Sequence, residues 1–113
     1  MPPLIRKHAV MTLKPGCIEP YRASHNEGFW PEMGEMLKAH GAHNYAISLL
    51  EEPAGSGGGR LFATLEIESE ERWAAVKDTD VCKRWWKWMT EFIVFNADGT
   101  PQATELKELF FLP

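Results

Sequence analysis

Three observations predict an α+β fold of βαββαβ order for this chain of 113 residues. Four stretches have the length and apolar content of strands: Leu4 to Leu13, His43 to Leu50, Leu61 to Glu68 and Glu105 to Leu112. Helical spacings fill the gaps after the first and third of them, whereas the second and third are joined only by the Pro- and Gly-rich stretch Glu51 to Gly59. Within the third, Leu61, Ala63, Leu65 and Ile67 recur at every second position, which turns one face of that strand toward a core. This order is that of a ferredoxin-like domain, an antiparallel sheet with helices on one face. The other sheet face is bare in a monomer, and two such sheets packed face to face, as a dimeric α/β barrel, cover it. A homodimer is therefore expected, with residues 1–113 as a single domain.

The elements follow from local chemistry. The first strand stops at the turn signal Lys14-Pro15-Gly16. Ile18 to His25 reads as a short helix, in which Pro20 is tolerated because it falls in the first turn. Asn26-Glu27-Gly28 interrupts or bends it. A stronger helix starts at Trp30-Pro31-Glu32: Pro31 suits the first helical position, Glu32 and Glu35 the positive end of the dipole, Lys38 and His40 the negative end, and Gly41 the left-handed position beyond. Met33, Met36 and Leu37 give it an apolar stripe. Ser69 is expected to cap a helix that begins at Glu70, and Asp80 a second one over Val81 to Phe92. Asn96 to Pro101 is a loop. The final strand, Glu105 to Leu112, is apolar enough to need a pairing partner, a second chain included.

Composition narrows the function. A net charge of -4 argues against nucleic acid and against an anionic membrane surface as partners. Cys17 and Cys82 show no pairing motif and read as ordinary thiols of a reducing compartment. The N-terminus lacks a signal-peptide pattern, and no stretch approaches the ~18 consecutive apolar residues needed to span a bilayer. A soluble, cytoplasmic protein is expected.

Tyr21 and His25 stand four residues apart, so a helix puts both on one face, where a phenol and an imidazole can give and take protons around one small polar ligand. Histidine does this near neutral pH with little tuning, although such a pair is also common on plain helix surfaces. Asn44-Tyr45 and Arg84-Trp85-Trp86 can wall in the same ligand. At helical spacing Trp85, Trp88, Met89 and Phe92 form one face and read as core. Trp86 points about 100° away from Trp85. A sugar ring, apolar on its C–H face and polar at its rim, would suit it. Arg84 fits either sugar hydroxyls or solvent.

Other signals point to bland roles. Gly57-Gly58-Gly59 has no Lys-Ser or Lys-Thr after it and precedes a strand, so it reads as a flexible hairpin tip and not a phosphate loop. His40 and His43 straddle a helix end and a strand start with no cysteine or carboxylate cluster to complete a metal site. His8 lies on the first strand, with no further indication.

Several blocks together resemble the L-rhamnose mutarotase family: Ile5-Arg6-Lys7; Tyr21 with His25-Asn26; Trp30-Pro31-Glu32; Lys38 followed by His40 to Ile47; Leu61-Phe62-Ala63; Glu66 to Trp73; Thr79 to Cys82 with Arg84 to Lys87; and Glu105-Leu106 with Phe110 to Pro113. The resemblance runs nearly end to end. It implies a ferredoxin-like dimer and a cofactor-free epimerase acting at the anomeric carbon, with His25 as proton donor and Tyr21, Tyr45, Trp85 and Trp86 binding the sugar. No metal and no cofactor are implied. The chain departs from the family's usual form in a slightly longer segment between His25 and Trp30, with Glu27-Gly28 where a proline is common, and in a longer, Gly-rich loop at Pro53 to Gly59. Two other classes stay open: on fold analogy alone, a cofactor-independent oxygenase or haem-degrading enzyme, and a non-catalytic sugar-binding module.

Overall fold

The structure, a computed structural model, describes residues 3–113. Strands β1 (Ile5–Leu13), β2 (Ala42–Glu51), β3 (Gly59–Ile67) and β4 (Ala103–Glu105) form one antiparallel sheet in the order β2-β3-β1-β4. Between β1 and β2 run α1 (Ile18–Asn26) and α2 (Pro31–Ala39), and between β3 and β4 run α3 (Glu70–Ala74), a 3₁₀ turn (Ala75–Asp78) and α4 (Asp80–Met89). This is the expected ferredoxin-like arrangement, with two helices in each helical region as expected and a 3₁₀ turn between α3 and α4.

The alternation in β3 sets the core. Leu61, Ala63, Leu65 and Ile67 are all buried, and Met11, Ala9, Lys7 and Ile5 of β1 stand directly opposite them on the same face. Onto that face pack Tyr21 of α1, Met33 of α2, and Cys82, Trp85 and Met89 of α4. Leu65 and Ile67 form a smaller cluster with Ala42, joined to the first through the partly buried Leu37 and Trp73, and each fully buried large apolar side chain contributes about 1.5–3 kcal/mol. Pro20 sits in the first turn of α1, where a missing N–H breaks no helical bond. Trp30 precedes Pro31 at the start of α2, and Gly41 takes φ +86° just beyond its end. A Cβ on Gly41 would also lie 3.0 Å from Glu68 Cβ.

Four expectations are corrected. Thr79, not Asp80, caps α4: its hydroxyl accepts from the Cys82 N–H, which leaves Asp80 as the first helical residue, beside the positive end of the dipole. The same helix ends at Met89 instead of Phe92. The last strand is only Ala103–Glu105, and beyond it only Leu106 N–H continues the pairing, donating to His8 O at 2.8 Å. The Gly-rich hairpin loop is docked, not free. Gly57 O accepts from the Cys17 and Ile18 N–H groups at 3.0 and 3.2 Å, so this loop satisfies the orphan donors at the start of α1. No helix among the described residues is long and apolar enough to cross a membrane.

Candidate functional site

A cavity of about 940 Å³ opens between the helix-facing side of the sheet and α1, α2 and α4. That is within the range of small-molecule sites, ~300–1,000 Å³. Tyr21, His25, Tyr45, Trp85 and Trp86 all line it. The three stretches singled out from sequence therefore meet around one space.

Local structure explains how each arrives. Tyr21 and His25 leave α1 one turn apart, with ring centroids 4.5 Å from each other. Trp85 of α4 sets an edge against His25 at 5.1 Å and is buried, serving core and cavity wall together. Trp86, the next residue on the helix, is half-buried and reaches the same space.

Tyr45 depends on a bulge in β2. The register with β3 shifts between His43 and Ala46, and Asn44 takes φ +50° there. Asn tolerates the left-handed region better than most residues. Ala42 pairs with Ile67 before the bulge, and Ile47 with Ala63 after it, so odd-numbered residues take over the inner face. Tyr45 thereby turns inward and packs against Trp73, with ring centroids 6.5 Å apart.

Two companions do not join them. Asn44 donates through Nδ2 to Glu66 Oε1 at 2.8 Å, beside His43 on the outer side of the sheet. Arg84 pairs with Glu32 at 3.3 Å and lies over the Trp30 ring on the helix surface. His40 and His43 are likewise engaged: His40 Nδ1 donates to Met36 O at 2.8 Å, and His43 bonds to Glu68. Among the described residues no group of His, Cys, Asp and Glu gathers as metal ligands.

The protonation states follow from burial. His25 Nδ1 lies 3.1 Å from Tyr21 O. A carbonyl oxygen only accepts, so Nδ1 carries the proton and Nε2 keeps a free lone pair in the neutral ring. Burial lowers the His25 pKa from its ordinary value, and the Tyr21 carbonyl opposes that in part. The ring is thus neutral at neutral pH. Burial raises the pKa of Tyr21 strongly, with a smaller contribution from Tyr45. It raises that of Tyr45 as well, although this residue leaves 44% of its surface open along the cavity wall. Both phenols stay protonated and serve as hydrogen-bond donors and acceptors.

Sequence reasoning missed two features of this cavity. Phe29 lines it and stacks near His25, with ring centroids 6.3 Å apart and planes 15° apart. Its signal was only the segment between His25 and Trp30 that departs from the resemblance. Lys7, which β1 turns to the inner face, reaches Glu70 at 3.1 Å and Glu105 at 3.4 Å. Lys7 and Glu105 add charge to the wall, where Arg22 and Lys38 also stand among mainly apolar and aromatic residues. Neither residue was distinguishable from a solvated surface charge in the sequence.

Comparison with known proteins gives a consistent picture. A family model described as L-rhamnose mutarotase matches residues 6–112. An L-rhamnose mutarotase of Escherichia coli O1:K1 / APEC is 53% identical over 110 residues, which cover 97% of this chain and 100% of that relative. The crystal structure of an L-rhamnose mutarotase from Formosa agariphila matches with a TM-score of 0.78 at 25% identity, covering 96% of this chain and 99% of that one. A dimeric ferredoxin-like protein from an uncultured marine organism shares the fold, with a TM-score of 0.65 at 15% identity over 96% of this chain and 100% of its own.

Proposed function

The chain belongs to the L-rhamnose mutarotase family and is a carbohydrate isomerase, and on that premise we propose that His25 moves the proton that exchanges the α and β anomers of L-rhamnose or a related 6-deoxy sugar. Tyr21, Tyr45, Trp85 and Trp86 hold the sugar. What supports this above all is the free Nε2 of a neutral, half-buried His25 that lines a cavity together with tyrosines and tryptophans.

Mutarotation moves one proton from the C1 hydroxyl to the ring oxygen, and both oxygens are bonded to C1. One group that reaches both can therefore take the proton and return it. Neutral His25 accepts the hydroxyl proton at Nε2. The C1–ring oxygen bond then breaks as the C1 carbonyl forms, and imidazolium His25 protonates the departing ring oxygen. C1 turns about its bond to C2, and the same steps in reverse close the ring on the other face. His25 thus acts as base before it acts as donor, and no separate base is needed. Acid–base catalysis of this kind supplies ~10²–10⁴-fold. Tyr21 and Tyr45, fixed as neutral phenols, hold sugar hydroxyls. The Trp85 and Trp86 indoles offer an apolar wall to the C–H face and to the methyl group of a 6-deoxy sugar.

The same reading includes a homodimer in the cytoplasm. Leu109, Phe110 and Leu112 follow the edge strand β4 and are 89%, 81% and 77% exposed, a run of apolar surface that a second copy would cover. Both cysteines are free thiols, in keeping with a reducing compartment.

The test is proton NMR saturation transfer between the two anomeric signals of L-rhamnose. Transfer that depends on the protein and is lost in His25→Ala, with sugar binding retained, supports the assignment. Full exchange in His25→Ala would reject His25 as the proton carrier. Light scattering on the eluted protein measures the subunit number.

A further inference from the structure

We infer that Phe29, seated over the Cβ-free face of Gly34, is a positioning residue that fixes the plane of the His25 imidazole for proton transfer. The inference rests on the role of His25 given above and adds a residue to it.

An imidazole bonded only through Nδ1 can still swing about that bond. Here three rings limit it. Tyr21 is tilted against it at 4.5 Å, the Trp85 edge meets it at 5.1 Å, and Phe29 lies nearly parallel to it at 6.3 Å. Tyr21 belongs to the same helix as His25 and moves with it. Trp85 is locked in the core. Phe29 is different, because it comes from the short link between α1 and α2 and its position is set by two glycines. A Cβ on Gly34 would stand 3.1 Å from Phe29 Cε1, tighter than ordinary contact, so α2 leaves a notch into which the ring settles. A Cβ on Gly28 would stand 2.9 Å from the Trp88 ring, so the link passes close over α4 only because that position is glycine. Phe29 also meets Trp85 edge-on at 5.2 Å, which holds it against a ring of the core.

Titratable groups line the same cavity from six elements: Tyr21 and Arg22 on α1, Lys7 and His8 on β1, Lys38 on α2, Tyr45 on β2, Cys82 on α4 and Glu105 on β4. The causes acting on His25 are burial and the Tyr21 carbonyl, so a ring that contributes to burial also keeps the imidazole neutral.

The experiment combines NMR titration of the His25 ring protons with anomer-exchange kinetics, for Phe29→Ala, Phe29→Leu and Gly34→Ala in the full chain. Misplacing a catalytic group costs on the order of 10²-fold. We expect Phe29→Ala to lower kcat toward that limit with a smaller change in KM, and to move the His25 titration midpoint upward. Phe29→Leu keeps apolar bulk without a flat face, and should lose kcat with a smaller midpoint shift. Gly34→Ala improves helix propensity in α2, so it should keep or raise Tm while lowering kcat. A Phe29→Ala protein that is folded by near-ultraviolet circular dichroism and keeps native kcat, or whose His25 midpoint is unmoved, would overturn the inference. If Phe29→Ala does not fold, native kcat in both Phe29→Leu and Gly34→Ala would overturn it. Native protein without L-rhamnose exchange would instead reject the role given to His25, and the titration would still report on Phe29.

Discussion

Two regions of this molecule are rich in aromatic and aliphatic side chains and use them in opposite ways. Around the cavity, Trp85 is buried and makes edge contacts with His25, Phe29, Trp30 and Trp88. After β4, Leu109, Phe110 and Leu112 are turned to solvent. The tail is nonetheless held in place. Glu108 accepts from Arg6 Nε at 2.7 Å and bonds to His8 Nε2 at 3.0 Å, and Arg6 also lies over the Phe111 ring. Polar clamps fix the tail on its own subunit, while its apolar side chains point away. The difference teaches which interactions the chain completes alone. The monomer packs the aromatic shell around Trp85 and His25 on its own, whereas the tail leaves its apolar side chains open to solvent.

The largest expected effect lies in the cavity. His25→Ala should reduce anomer exchange by about 10²–10⁴-fold and leave Tm and subunit number near native, as saturation transfer, thermal melting and light scattering would report. Trp85→Ala breaks the shell itself. It should destabilise the fold by about 3–5 kcal/mol, as for other large aromatic-to-alanine core changes, measured by urea unfolding. A Trp85→Ala protein of native stability would mean that the aromatic shell is not supporting the core.

The tail should behave in the reverse manner. Phe110→Ser combined with Leu112→Ser should change monomer stability by no more than about 0.5 kcal/mol per site, as for exposed positions, yet lower the subunit number. Unchanged subunit number would reject the tail as a contact surface between copies. The clamp is tested by acid. The bonds to Arg6 and His8 pull the Glu108 pKa down to about 2 from its ordinary 4.5. A depressed carboxyl contributes in full above 4.5, and that contribution is lost as pH falls toward about 2. Amide exchange of the tail should therefore stay slow at pH 5 and rise in that lower window, and Glu108→Gln should show fast exchange already at pH 5.

pH also separates the regions. The lowered His25 pKa means that its neutral form, which accepts the proton, persists below the ordinary value of 6.5. Activity should hold as pH falls through 6.5 and be lost only below it. The raised tyrosine pKa values put no matching loss near neutral pH on the alkaline side. The smallest effect belongs to Arg84. Its pair with Glu32 is exposed on both sides, and such pairs contribute about 0–1 kcal/mol. Arg84→Ala should leave exchange kinetics unchanged.

Much of the site was legible because helical spacing is local. Tyr21 and His25 share a face at i and i+4, and the chain's own periodicity settles that. Trp85 and Trp86 were legible as core and non-core, though not that both would reach one cavity. Asn44 and Tyr45 were not separable, because a bulge changes which side of the strand each residue takes, and only the register with β3 fixes where the bulge falls. The last strand was overextended for a related reason. Apolar content marks a segment that wants a partner, without saying whether the partner lies in the same chain.

By itself the sequence determined the βαββαβ order, the buried face of β3, the starts of α2 and α3 and the shared face of Tyr21 and His25, since each depends on residues a few positions apart. The tertiary structure decided the rest. It set the tautomer of His25 and its neutrality, which depend on a carbonyl and on the bulk packed around the ring. It turned Tyr45 inward and Arg84 outward. It docked the Gly-rich loop on the start of α1, and seated Phe29 over Gly34 beside the imidazole. These are contacts between elements distant in the chain or set by backbone geometry, and their free energies appear only when the sheet and helices have closed on one another.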